Sequence, residues 1–192
     1  YKGKSDVIVL GLPRGGVVTA AVVAKELHIP LDVLLVKKIH THFDPELAIG
    51  AVALSGERFV DTKLVEYLHI KDQYITQGKA RLIAEMRTKD RMYHAKTARI
   101  PLNNKIVIII DDGIATGATM HAAIASVRAQ EASFVIIASP VVSRATAGEL
   151  THLADETYFV SIEENMSSVG QFYEDFPQVS HEAVIQLLYE AH

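Results

Sequence analysis

Ile106-Val107-Ile108-Ile109-Ile110-Asp111-Asp112-Gly113-Ile114-Ala115-Thr116-Gly117-Ala118-Thr119 is the stretch that decides the fold of this 192-residue chain. Its first five residues are β-branched, with no polar alternation, as in a strand covered on both faces within a parallel sheet. Asp111 and Asp112 follow at the C-terminal end of that strand, the edge where open α/β sheets place their ligands. Gly113 and Gly117 relieve the backbone, and Thr116, Ala118 and Thr119 are small. Met120, Ala123, Ile124 and Val127 then recur at helical spacing, so the loop runs into a helix N-terminus. Unpaired N–H groups and the positive dipole end there favour an anion by roughly 0.3–1 kcal/mol. Two carboxylates beside an anion cradle repel a bare phosphate. They suit a ligand with a phosphate at one end and hydroxyls nearby, because carboxylates only accept hydrogen bonds. A ribose 5-phosphate has both.

Outward from this stretch the pattern repeats. Val7 to Leu10 reads as a buried strand, Gly11-Leu12-Pro13-Arg14-Gly15-Gly16 as a glycine-rich loop, and Val17 to Leu27 as a helix ending before Pro30. Here the loop carries a cation: main-chain donors around Gly15 and Gly16 can converge on phosphate oxygens, and Arg14 can bind them bidentately. A tight turn with a solvated arginine is the alternative. Val33 to Val36 reads as a third strand ending in Lys37-Lys38, and Glu46 to Leu54 forms a hairpin with Glu57 to Val60 across Ser55-Gly56. Residues 62–94 read as helices, with Ile75, Leu82, Met86 and Tyr93 on one stripe. Lys79, Arg81, Arg87, Lys89 and Arg91 decorate the rest, as a solvated face or as cations reaching over a ligand. Phe134 to Ala138, ending in Ser139-Pro140, is a further strand; a helix over Ser143 to Leu150 and a strand over Glu156 to Val160 follow. Residues 161–180 are polar and irregular, and His181 to Glu190 is a closing helix with Val184, Ile185 and Leu188 inward. Strands alternating with helices predict an α/β, Rossmann-like three-layer fold with a central parallel sheet, as one domain over residues 1–192.

Composition bounds the function. With 49% apolar residues the chain can bury a sizeable core, and a net charge of −4 argues against a nucleic-acid footprint. It has no cysteine, which excludes disulfides and thiolate metal sites and fits a reducing cytoplasm. No apolar run approaches the ~18–20 residues that span a bilayer, and no signal peptide is visible. The chain opens at Tyr1 without Met, as a piece cut from a longer protein would. His40 and His42 stand at i, i+2 in a loop; without a third ligand they read as exposed histidines rather than a metal site. The G-x-x-x-x-G-K-[ST] phosphate loop is absent, so an ATPase has no support.

Asp111 to Thr119, after its apolar run, resembles the phosphoribosyl-pyrophosphate (PRPP) loop of type I phosphoribosyltransferases. The resemblance implies that Asp111 and Asp112 hold the ribose hydroxyls and that Gly113, Ala115, Thr116, Gly117, Ala118 and Thr119 hold the 5-phosphate. Leu12-Pro13-Arg14-Gly15-Gly16 is similar to the family's pyrophosphate loop, which often has a cis peptide just before the basic residue. Arg14, Gly15 and Gly16 are then expected on the pyrophosphate, joined by Lys37 and Lys38, where adenine-type members place a basic pair. Arg14, Asp111 and Asp112 are the expected catalytic residues. The implied chemistry displaces pyrophosphate from C1 of PRPP by a ring nitrogen, with Mg²⁺ carried mainly by PRPP and no metal cluster of the protein's own. The implied partners are PRPP and a nitrogenous base, with neither nucleic acid nor membrane, and a homodimer is compatible.

Residues 62–94 stand as a helical insertion where many type I enzymes have a mobile catalytic loop. Residues 161–180 fall where the family builds a hood over the acceptor, so Phe172 or Tyr173 is expected to stack on a planar base; anchoring the tail to the core is the other reading. Members specific for 6-oxopurines carry aspartate just before the Thr-Gly, where this chain has Ala115, which argues against hypoxanthine or guanine. End to end, through Pro45 to Val52 and Val169 to Phe176 as well, the chain is most similar to a poorly characterised group of bacterial phosphoribosyltransferase-domain proteins. A non-catalytic PRPP- or nucleotide-sensing module of the same fold remains the alternative to a transferase, and a phosphohydrolase would need a nucleophile or activated water at the Asp pair.

Overall fold

The structure is a computed structural model describing residues 1–191. Five strands form a parallel sheet in the order β2-β1-β6-β7-β8: β1 (Val7–Gly11), β2 (Leu31–Val33), β6 (Ile106–Ile110), β7 (Phe134–Ser143) and β8 (Glu156–Glu163). Strands β3 (Val36–His40), β4 (Ala48–Ala53) and β5 (Arg58–Val60) make a separate antiparallel sheet. The helices are α1 (Gly15–Leu27), α2 (Thr62–Tyr67), α3 (Asp72–Tyr93), α4 (Ala118–Ala129), α5 (Arg144–Leu153) and α6 (His181–Glu190). No described helix is long and apolar enough to cross a membrane.

The central strand shows why its sequence lacks alternation. Val107 and Ile109 pack with Met120, Ile124 and Leu150 from α4 and α5, whereas Ile108 and Ile110 pack with Val17, Val184 and Leu188 from α1 and α6. Both faces are covered, so every residue of the run is apolar. Each such side chain contributes about 1.5–3 kcal/mol when fully buried.

Three strand assignments differ from the expected ones. The apolar run Val33 to Val36 is not one strand but the crossing between two sheets. The Leu34 N–H donates to the Gly11 carbonyl at the end of β1, while the Leu35 carbonyl accepts from Leu54 after β4. An apolar run reads alike whether it serves one sheet or two. Lys37 and Lys38 consequently lie inside β3, opposite Val52 and Ala51, rather than at a strand end. In β7 the chain continues through Pro140 to Ser143. Pairing with β6 ends at Ala138, so Pro140 lies beyond it and its missing N–H breaks no ladder on that side. Likewise β8 runs to Glu163, taking in the start of the supposed irregular segment, which otherwise holds only the 3-10 turn Val169–Phe172.

The end of α3 is tied to the sheet by a buried ionic group. His94 directs Nε2 to Asp32 Oδ1 at 2.8 Å and Nδ1 to Asp90 Oδ1 at 3.0 Å; Arg99 pairs with Asp90 from outside. Asp32 also accepts from the Val33 and Ile100 N–H groups. The hydrogen bond to Asp32 raises the His94 pKa above its ordinary 6.5, against the pull of burial. Because the folded value is the higher one, the stabilisation is complete below about pH 6.5 and is lost as pH rises through the folded pKa. His94→Ala is therefore expected to cost about 3 kcal/mol near pH 6. Urea unfolding across pH 6 to 9 should show that deficit shrinking; a pH-independent deficit would mean the imidazole is held neutral.

Candidate functional site

Strands β1 and β6 lie side by side in register, Gly11 opposite Ile110, so the loops that leave their C-terminal ends emerge as neighbours. The Leu12 N–H donates to the Ile110 carbonyl at 2.9 Å, fixing one loop against the other. The peptide between Pro13 and Arg14 is cis. Gly15 and Gly16 open α1 directly against the acids: a Cβ on Gly15 would fall 1.8 Å from Asp112 Oδ2, and one on Gly16 would fall 2.8 Å from Asp111 Oδ1. The two glycines are what let the basic loop and the acidic loop touch.

The acids are not equivalent. Asp111 Oδ1 accepts from the Asp112 N–H at 3.0 Å. Burial, and next the charge of Asp112, push the Asp111 carboxyl well above the usual carboxylate range, with Lys38 pulling the other way. Asp112 lines a cavity of about 340 Å³ together with Arg14, Gly15, Val18, Thr19, Tyr173 and Phe176. One ligand can thus meet the arginine and the acid at once.

The remainder of the acidic loop is built as a cradle. Gly117 takes φ +73°, the left-handed conformation that favours glycine, and serves as N-cap of α4. No hydrogen bond to the hydroxyls of Thr116 and Thr119 is made among the described residues, which leaves them available to a ligand. The carbonyl of Ala115 is fixed by two hydroxyls from the start of α5, Ser143 Oγ at 2.7 Å and Thr146 Oγ1 at 2.6 Å. Ile114 bridges to Val142, so Gly113, with Val169 and Val141 against its Cα, is held from the β7 side. Sequence reasoning missed Ser143 and Thr146 as supports of the cradle. The one signal they gave was the cap pattern of α5, where Ser143 accepts from the Thr146 N–H.

The structure separates the two lysines. Successive side chains of a strand point to opposite faces: Lys37 is ion-paired with Glu85 of α3, while Lys38 acts electrostatically on Asp111. Lys38 is thus directed to the acidic loop, whereas Lys37 is held by α3. In the tail, Tyr173 donates its hydroxyl to the Asp112 carbonyl at 2.6 Å and packs at 4.9 Å against Phe176, the rings tilted by 43°. Burial and the Asp112 charge raise the Tyr173 pKa. Tyr173 and Phe176 line the cavity; Phe172, in the 3-10 turn, is not among its lining residues. Of the two histidines expected to be exposed in a loop, His42 is exposed and packs edge-on to Phe43 and Tyr74, whereas His40 ends β3 and is half-buried, its Nδ1 enclosed.

Comparison with known proteins bears on the whole chain. The family model of the phosphoribosyl transferase domain matches residues 1–177. A Mycobacterium tuberculosis protein provisionally named a phosphoribosyl transferase, found in two strains, is 38% identical over 186 residues. That match takes in 97% of this chain and 42% of the mycobacterial protein, so the chain spans less than half the length of the curated relatives it matches. Among solved structures, the Thermus thermophilus protein TT1426 superimposes with a TM-score of 0.81 at 36% identity, over 98% of this chain and 89% of that one.

Proposed function

The chain belongs to the phosphoribosyl transferase domain family, and from that premise we propose that it transfers the 5-phosphoribosyl group of PRPP to a nitrogenous base and releases pyrophosphate. The observation that carries this reading is the direct packing of Gly15 and Gly16 on Asp112 and Asp111, with Arg14 and Asp112 lining one cavity. A ligand there has its hydroxyls at the carboxylates, its 5-phosphate at the amides and hydroxyls of Thr116 to Thr119, and its diphosphate at Arg14 and the Gly15–Gly16 amides.

In the reaction the bond from C1 to the pyrophosphate oxygen breaks and the bond from C1 to the acceptor nitrogen forms, through an oxocarbenium-like transition state. Arg14 and the loop amides stabilise the negative charge that builds on the leaving group, and they are oriented before the reaction begins. The Asp pair fixes the ribose, and its charge lies near the positive charge that develops at C1. The residues fit a Mg²⁺ that arrives with PRPP: Asp111 and Asp112 are oxygen donors, the type this ion takes alongside phosphates. Bound in that way it would neutralise diphosphate charge. Tyr173 and Phe176, tilted against each other on one side of the cavity, offer the aromatic wall for a planar acceptor. Ala115, which has no side-chain acid, disfavours 6-oxopurines as acceptors.

Incubation with PRPP, Mg²⁺ and a panel of purine and pyrimidine bases is expected to release pyrophosphate with at least one of them. Binding of PRPP without release across the panel would overturn the transferase and leave a PRPP-sensing module.

A further inference from the structure

Helix α3 carries its cations unevenly. Arg81, Arg87 and Arg91 are exposed, but Lys79 and Lys89 are half-buried, and Lys89 falls in line with buried residues of the C-terminal half. Positions 82, 86, 89 and 93 follow the three- and four-residue spacing of one helix face, and Leu82, Met86 and Tyr93 are all buried on it. A lysine therefore sits on the inward stripe. Its neighbours along the helix fix where that stripe points. One turn earlier, Glu85 is ion-paired with Lys37 of β3. One turn later, the Tyr93 hydroxyl meets His181 Nδ1 of α6 at 2.6 Å. Lys89 makes no ion pair among the described residues, although the charges of Lys37 and Arg14 both reach it and Glu85 is the one carboxylate that acts on it.

We propose that Lys89 binds the diphosphate of PRPP, as a cation that the helical insertion adds to Arg14 and Lys37. This rests on the phosphoribosyltransferase reading of the same site. Burying an ammonium group among other cations is costly unless an anion shares the space, and a diphosphate is the most highly charged group that reading brings to Arg14. Electrostatics agree with the geometry. Burial, then the charges of Lys37 and Arg14, lower the Lys89 pKa; Arg14 is also felt at Tyr93, His181 and Glu182. His181, hydrogen-bonded to Tyr93, holds the end of this stripe against α6, so the insertion approaches the basic loop as a fixed element.

Titration calorimetry with magnesium pyrophosphate and, separately, with ribose 5-phosphate tests the assignment. Lys89→Gln is expected to bind magnesium pyrophosphate about tenfold or more weakly, with ribose 5-phosphate affinity unchanged; Lys89→Arg, which keeps the charge, is expected to recover most of the loss. Wild-type affinity for pyrophosphate in Lys89→Gln would overturn the proposal, as would a parallel loss of ribose 5-phosphate affinity. Both outcomes leave the transferase reading standing. If the wild type binds neither ligand, the reading of the site falls first, and the role of Lys89 with it.

Discussion

With Asp111 and Asp112 both replaced by Asn, the protein is expected to bind ribose 5-phosphate at least about a hundredfold more weakly, roughly 2.7 kcal/mol, and yet to unfold at a higher temperature than the wild type. The two effects share a cause. Carboxylates accept from both hydroxyls of a diol, whereas each Asn presents a donor that the hydroxyls do not need. The same carboxylates repel each other, and desolvation pushes the half-buried Asp111 carboxyl further up. Its folded pKa lies above the unfolded one, so the folded state holds the extra proton and loses stability as pH rises above about 3.9. An uncharged amide in place of the Asp111 carboxylate escapes that penalty. The gain in melting temperature for the single Asp111→Asn variant should be largest at neutral pH and should vanish toward pH 4. Asp112→Asn should account for most of the lost affinity, because Asp112 is the member of the pair that lines the cavity with Arg14. Undiminished ribose 5-phosphate affinity in the double variant would remove the diol from the reading; a lower melting temperature at neutral pH would mean that the pair is stabilising.

The adjacent glycines are expected to fail in different ways. At Gly15 an added Cβ meets the Asp112 side chain, at 1.8 Å from Oδ2, 2.6 Å from Cγ and 3.3 Å from Cβ. A side chain can swing aside cheaply, but Asp112 then leaves the position from which it meets the ligand. Gly15→Ala should thus lose about a hundredfold in ribose 5-phosphate affinity while melting within a degree or two of the wild type, since about 0.5 kcal/mol moves a domain of this size by that much. At Gly16 the obstruction is main chain, the Asp111 Cα and the Ile110 carbonyl, both at 2.9 Å. Neither can rotate away, so the loops must part at the ends of β1 and β6. Gly16→Ala is expected to cost about 2 kcal/mol, lowering the melting temperature by roughly 4–8 °C, in addition to the lost affinity. Equal thermal shifts in the two variants would contradict this division between side-chain and backbone contacts.

Much of the framework was legible because strand coverage leaves a mark on composition. The runs Val7 to Leu10 and Ile106 to Ile110, the inward stripe of α3 and the closing helix lie where hydrophobic spacing put them. Legibility ended where one local pattern serves two tertiary settings. Val33 to Val36 could not reveal a crossing between sheets, so Lys37 and Lys38 were read as a pair at a strand end although strand alternation divides them. The basic helix reads both as a solvated face and as cations over a ligand; Arg81, Arg87 and Arg91 are exposed, and the place of Lys89 on the buried stripe has a meaning only through what packs across from it. Tyr173 was legible as an aromatic near the site, while Phe176 and not Phe172 shares its cavity, since the course of an irregular tail depends on contacts with the β6 loop rather than on spacing.

By itself the sequence determined the chemistry on offer: paired acids after a doubly covered strand, a glycine turn capping a helix, and a second glycine loop with one arginine, all properties of neighbouring residues along the chain. Only the tertiary structure decided that Gly15 and Gly16 press on Asp112 and Asp111, that Ser143 and Thr146 fix the Ala115 carbonyl, and that Lys89 is half-buried within electrostatic reach of Lys37 and His181. Those relations join residues far apart in the chain, and strand order and helix packing bring them together through burial, which no local pattern encodes.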